Sequence, residues 1–267
     1  MPFSVNDNGT WKTVKKLSVN DGTWKNVKSG WINKNGVWTK FYSNVVTVNV
    51  ATQNNINLRT LYTNQTGDSS NDAVSVIFNI NGNIGSTSTA TASMVTGTWS
   101  TGSEIVVNIA AGVYVVGAGG AGGNNGTGNS GGNAISLNYS ITIVNSGIIG
   151  GGGGGAGSQS LNPLGYVTVG GGGGAGLVAG AAGVGSRNAV FVYGAAGSLT
   201  SGGVGCYRGG STSGQTVCTS DRGGGSLGQG GTSIPDGPGG GAAGKAVALN
   251  SNTVTWSPQG TTYGSIS

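Results

Sequence analysis

The run VVGAGGAG at 115–122 sets Gly117, Gly119 and Gly122 at the spacing that lets a backbone turn approach a dinucleotide pyrophosphate. A second run, GGGAAGKA at 239–246, has the spacing of a phosphate loop, with Lys245 where such loops carry their lysine. Both lack the context that the chemistry requires. A dinucleotide turn opens a helix and is followed about 20 residues later by an acid. Here NNGTGNSGG (124–132) follows, which is poor helix material, and no Asp or Glu stands between Glu104 and Asp221. In the second run Ala246 occupies the place of the magnesium-binding hydroxyl. In a chain with 58 glycines such spacings arise from composition alone.

The remaining chemistry is equally thin. There is no histidine, which removes the usual general base and metal ligand. Asp221 and Asp236 are the only carboxylates of the glycine-rich region, so a two-carboxylate glycosidase would need both, and nothing around them suggests a pocket that shifts their pKa values. Cys206 and Cys218 are too few for a zinc site. Twelve apart, they suit a disulfide closing one loop, the alternative being two free thiols. The expectation is a protein that is no enzyme, with no catalytic residue, no metal and no cofactor.

The elements that could position a binding surface come from the glycines themselves. Between Gly112 and Gly244 lie 47 of them, with 9 before and 2 after. Gly loses more conformational freedom on folding than any other residue, so the region is either disordered or a backbone lattice, and only a lattice works as a surface. Runs such as 150–155 and five prolines in all exclude a collagen repeat. What fits is a bundle of polyglycine II helices: three residues per turn, no internal hydrogen bonds, and N–H and C=O groups pointing sideways to neighbours. GAGGAGG at 117–123 puts Ala118 and Ala121 on one face, expected to look outward. Further candidates are 126–132, 150–157, 170–176, 179–185, 194–197, 202–205, 223–231 and 237–244, eight or nine segments tiling a slab.

Around this slab the chain divides into four regions. In 1–43, SVNDNGTWK, SVNDGTWK and WINKNGVWTK repeat a tight-turn signal before Trp11, Trp24 and Trp38, which predicts three hairpins with a small tryptophan core. Seven of the twelve basic residues fall within the first 42 positions against two acids, so the net charge of +5 is N-terminal; solvated lysines explain it better than nucleic acid. Region 44–111 reads as β, with strands at 45–50, 74–82 and 103–117. Region 112–245 is the glycine bundle with variable loops, and 246–267 reads as a closing β segment, a hairpin. The class is mostly irregular and β. No signal peptide opens the chain, and no apolar run is long enough to insert into a membrane.

The series IFNINGN (77–83), VVGAGGAGG, SGGNAISL (130–137), VNSGIIGGGGGGAG (144–157) and NTVTWSPQGTTYGSIS (252–267) resembles the distal receptor-binding adhesins of T-even-type bacteriophage long tail fibres over about 75–267. The resemblance implies a polyglycine II sandwich at the tail fibre tip of the virion, made in the host cytoplasm. Loops between its helices would bind a bacterial outer-membrane protein or surface polysaccharide. An N-terminal part would attach to a fibre or baseplate protein, although the Trp repeats differ from the family's usual attachment domain.

The receptor role falls on the non-glycine loops, since aromatic and Arg residues dominate binding hot spots. These are Leu161, Leu164 and Tyr166; Arg187, Phe191 and Tyr193; and Tyr207, Arg208 and Arg222. Phe191 and Tyr193 could instead pack along the slab edge; Tyr166 and Tyr207 are expected to be exposed. Attachment falls on Trp11, Trp24 and Trp38. The other reading is a glycine-rich ice-binding or cell-wall protein, which would want a constant spacing of Thr or Ala that the unequal loops lack.

Overall fold

The computed structural model describes residues 4–13, 17–20, 22, 24–27, 29–43, 45–160, 168–187, 190–208, 215–234 and 237–267. The chain opens with three antiparallel hairpins: β1 (Ser4–Asp7) with β2 (Thr10–Thr13), β3 (Ser18–Asn20) with β4 (Trp24–Asn26), and β5 (Ser29–Lys34) with β6 (Val37–Ser43). Asn8 and Gly9 have φ of 50° and 84°, Asn35 and Gly36 of 55° and 83°, so both turns carry the double positive φ that the strand twist favours. The side chains of Asn6 and Asn33 accept the Gly9 and Gly36 N–H at 2.8 and 2.9 Å. The expected tryptophan core is not formed at Trp38, which is 64% exposed, as Trp31 on the same hairpin face is 52% exposed. A two-stranded ribbon has no opposing layer in which to bury them. The side chains of Trp11 and Trp24 lie outside the described residues.

The chain then winds into a three-sided parallel β-solenoid. Its first coil is β7 (Val45–Val50), β8 (Gln53–Asn54) and β9 (Ile56–Asn57), followed by helix α1 (Leu58–Thr66). The second is β10 (Ser75–Ile80), β11 (Ile84–Gly85) and β12 (Met94–Val95). The third has β13 (Glu104–Ile109) and β14 (Tyr114–Val116), leaves for 117–134, and closes with β15 (Ile135–Ser136). The fourth has β16 (Ile141–Asn145) and β17 (Ile148–Gly150), then leaves for 151–246. That excursion carries β18 (Gln159–Ser160), β19 (Thr168–Gly170), β20 (Val184–Arg187), β21 (Val190–Tyr193), β22 (Gly205–Arg208) and β23 (Thr216–Thr219). It returns as β24 (Val247–Ala248), and β25 (Val254–Trp256) and β26 (Thr261–Tyr263) complete the stack.

The three sheets run β7-β10-β13-β16-β25, β8-β11-β14-β17-β26 and β9-β12-β15-β24, every pair parallel. The C-terminal strands therefore do not form the expected hairpin. Each extends a different sheet, because its apolar residues continue columns that the earlier coils began: Val254 follows Ile141, and Trp256 follows Ile143. Inward columns such as Val48–Phe78–Val107–Ile143 and Ile56–Met94–Ile135–Val247 make one continuous core. On the outside of the first sheet, Asn108 donates its amide to Asn79, and Asn79 to Asn49, at 3.0 Å each. The helix starts at Asn57, whose side chain accepts the Thr60 N–H, and ends at Gly67 with φ of 71°. Its Tyr62 packs edge-on against Trp99, which meets Phe78 in the same way.

The two excursions build the glycine lattice. Ten extended segments, alternating in direction among the described residues, cover 117–123, 128–132, 151–157, 171–176, 180–183, 194–197, 202–205, 223–225, 229–232 and 239–244. Their hydrogen bonds run between segments with a period of three. Gly152 and Gly155 donate to 128–132, Gly153 and Ala156 to 171–176, and Gly154 and Gly157 to 229–232, while 117–123, 223–225 and 239–244 donate back. Segment 151–157 thus has six bonded neighbours, as has 171–176, and both are buried throughout. This satisfies the backbone groups that glycine leaves without side-chain cover. Two details differ from the sequence reading. Segment 223–231 is two segments, reversed at Gly228 with φ of 69°. Ala118 is buried, because four neighbouring segments already surround 117–123.

Candidate functional site

The direction of each glycine segment places its ends. Segments 117–123 and 151–157 leave the solenoid at β14 and β17, and at their far ends Asn124 bridges to Val184 and the chain enters β18. The described parts of five reversals lie at this far end: 124–127, then 158–160 with 168–170, 184–187 with 190–193, 205–208 with 215–222, and 233–234 with 237–238. Ser158, fully buried, joins three of them: its hydroxyl donates to the carbonyls of Gly123 and Val184, and its N–H to that of Gly126. Asn125 and Ser186 tie 124–127 to β20 by two bonds of 2.9 Å.

Three of these reversals form two small antiparallel sheets, β18-β19-β22-β23 and β20-β21, packed on one another. Val169, Val192 and Cys206 are buried within this end, and glycines let the sheets approach: a Cβ on Gly185 would lie 2.3 Å from the Val169 carbonyl oxygen. On β21 the residues flanking Val192 turn the other way. Phe191 and Tyr193 are 57% and 62% exposed with their rings stacked at 6.5 Å, so they do not pack into the slab edge. Tyr207, expected to be exposed, is half-buried, because the Arg222 guanidinium folds over its ring at 4.9 Å. Arg208 is half-buried beside it in β22. Cys206 and Cys218 face each other across β22 and β23 and are joined as a disulfide.

Of the nine candidate receptor residues, Arg187, Phe191, Tyr193, Tyr207, Arg208 and Arg222 thus stand in strands and turns gathered at one end. Arg187 pairs with Val190 in the ladder, and its side chain lies outside the described residues. Leu161, Leu164 and Tyr166 also lie outside them. Sequence reasoning missed two further reversals at the same end, 124–127 and 233–238, which carry no aromatic or Arg residue. Their only sequence signal was position, each falling between two glycine segments. Among the described residues no group of three or more Cys, Asp or Glu could hold a metal, and no helix is long and apolar enough to cross a membrane.

Comparison with known proteins settles what this molecule is. The family described as phage tail fibre adhesin Gp38 matches residues 44–267, five-sixths of the chain. The chain belongs to that family. This adhesin is therefore a phage tail fibre protein that binds a receptor on the host surface, and not an enzyme. The ice-binding and cell-wall readings fall away. Its fold is similar to that of the gp37-gp38 adhesin tip complex of the bacteriophage S16 long tail fiber, a crystal structure at 24% identity with a TM-score of 0.57, covering 84% of this adhesin and 82% of that chain. A search of curated proteins finds no match. The family match starts at residue 44, so the hairpins of β1 to β6 stand outside it.

Proposed function

We propose that this adhesin holds its receptor on the five reversals at the far end of the lattice, and that the lattice segments are polyglycine II helices. The observation that carries the site is the convergence of three chain-distant loops on two packed sheets, with Phe191 and Tyr193 exposed above buried Val192. Loops fixed to a rigid base lose little freedom on binding, and their sequences can change without disturbing the base. The three-residue period of the inter-segment hydrogen bonds supports polyglycine II. Strands from 44–111 and 246–267, with those between, act as the base; 112–245 supplies lattice and loops.

Adsorption of labelled, purified adhesin to host cells tests the site. Alanine at Phe191, Tyr193 and Arg222 together should weaken adsorption by about 2 kcal/mol or more, roughly thirtyfold, with the melting temperature held. Undiminished adsorption would place the receptor site elsewhere. The receptor is an outer-membrane protein or a surface polysaccharide; protease treatment of the cells abolishes binding in the first case and periodate oxidation in the second.

We further infer that residues 1–43 dock the adhesin to a fibre or baseplate protein. Exposed Trp31 and Trp38, the lysine excess and the position of these residues outside the family match support this. The related S16 chain is seen in complex with gp37. Deleting 1–43 should abolish incorporation into virions while the remaining chain still adsorbs to host cells. Virions carrying the shortened chain at the normal copy number would overturn it.

A further inference from the structure

Among the described residues, the strand that carries Cys218 is held by its ladder to β22 and by the disulfide. This strand, β23, is among the described residues the edge of its sheet, paired with β22 alone, and Thr216, Val217 and Cys218 are all exposed. Gln215, Ser220 and Asp221 beside it are exposed too. An edge strand that buries little surface gains little from packing, and such segments open locally before a fold unfolds as a whole. Its other half is different. Cys206 is 6% exposed and lies in β22, which pairs with β19 on its inner side. The Cys206–Cys218 bond thus ties an exposed edge strand to an anchored one.

The tie stands in a protein that meets two redox environments. A tail fibre protein is synthesised in the host cytoplasm, where thiols are kept reduced, and works outside the cell. We propose that the Cys206–Cys218 disulfide is a redox latch on the receptor-binding end. It is open inside the cell, and it closes after release to fix β22, β23 and the turn at Ser220–Arg222, with Tyr207, Arg208 and Arg222, in the binding arrangement. The proposal rests on the reading of this end as the receptor site.

The chemistry of the latch is thiol–disulfide exchange. To close it, Cys206 and Cys218 each give up one proton and one electron, the Sγ–Sγ bond forms, and a low-molecular-weight disulfide takes up both and leaves as two thiols. To open it, an external thiolate attacks at Cys218, the exposed partner, through a mixed disulfide; a second thiol releases the reductant as its disulfide.

The test compares four preparations of the full chain for adsorption to host cells and for thermal unfolding. They are the oxidised chain, the chain reduced with dithiothreitol and capped with iodoacetamide, the reduced chain reoxidised with glutathione disulfide, and the Cys206→Ser/Cys218→Ser variant. The reduced chain and the serine variant should adsorb about tenfold more weakly than the oxidised chain. Reoxidation should restore binding, dithiothreitol should not affect the serine variant, and the melting temperature should hold. Equal adsorption in all four, or a fall in the melting temperature of the whole chain on reduction, overturns the latch. A Tyr207→Ala/Arg222→Ala variant with its disulfide intact separates the two claims. If it adsorbs weakly while reduction has no effect, only the latch fails; if it adsorbs normally, the reading of the site fails and the latch with it.

Discussion

Replacing Gly152 by valine should prevent this adhesin from folding or lower its melting temperature by tens of degrees. Even the first carbon of a side chain there would lie 1.9 Å from the Ala118 carbonyl oxygen, and the obstacle is backbone that cannot rotate away. Segments 117–123 and 151–157 would have to separate. Their separation opens the bonds from Gly120 to Gly153 and from Gly123 to Ala156, and the neighbouring bond from Gly152 to Gly132 goes with them. Each buried backbone group left without a partner costs about 1–3 kcal/mol. Three such losses approach the whole stability of a domain, about 5–15 kcal/mol. Alanine at the same position already meets the obstacle, so Gly152→Ala should lose most of what Gly152→Val loses. The control is Gly126→Ala, where the nearest atom to an added Cβ is 3.7 Å away. Melting monitored by circular dichroism should leave Gly126→Ala near the parent temperature. If Gly152→Val melts there as well, the packed lattice is wrong.

What was legible in the sequence follows from how local its cause is. The Asn-Gly turns at 8–9 and 35–36 were legible because the demand for positive φ is met within two residues. Strand β7 was read at its observed bounds and β10 within two residues at each end, from alternation of β-branched residues, but the strand read at 103–117 is two, β13 and β14, which turn at 110–113 into different sheets. The burial of 150–155 and 170–174 was legible because only glycine tolerates neighbours on all sides. The solenoid was not. Val45, Ser75 and Glu104 stand in register, but their strands pair through residues about thirty positions apart with no matching motif in the chain. The pairing of β17 with β26 spans the whole second excursion, which composition alone presents as a separate unit. The candidate site was legible as a set of loops and not as a surface. Aromatic and Arg content drew attention to the loops of Leu161 to Tyr166, Arg187 to Tyr193 and Tyr207 to Arg222 and passed over 124–127 and 233–238, whose described residues the direction of the segments brings to the far end. Tyr207 was misjudged because its cover, Arg222, returns from fifteen residues later in the chain.

Host choice should travel with the far-end reversals alone. The glycine segments bond through backbone groups, so their packing is blind to what the loops carry. The loops can therefore be exchanged as a set: 124–127, 158–170, 184–193, 205–222 and 233–238, cut where each meets its glycine segment. A chimera carrying these five segments from a Gp38-family adhesin of different host range should fold, melt near the parent temperature and lose adsorption to the parent's host by about a hundredfold or more, since the hot-spot side chains are replaced together. The reciprocal chimera should gain what the first has lost. The deciding measurement is adsorption of both folded chimeras to the two hosts side by side. Binding that follows the loops in both directions is the predicted result; binding that stays with the solenoid and the hairpins of 1–43 would contradict it.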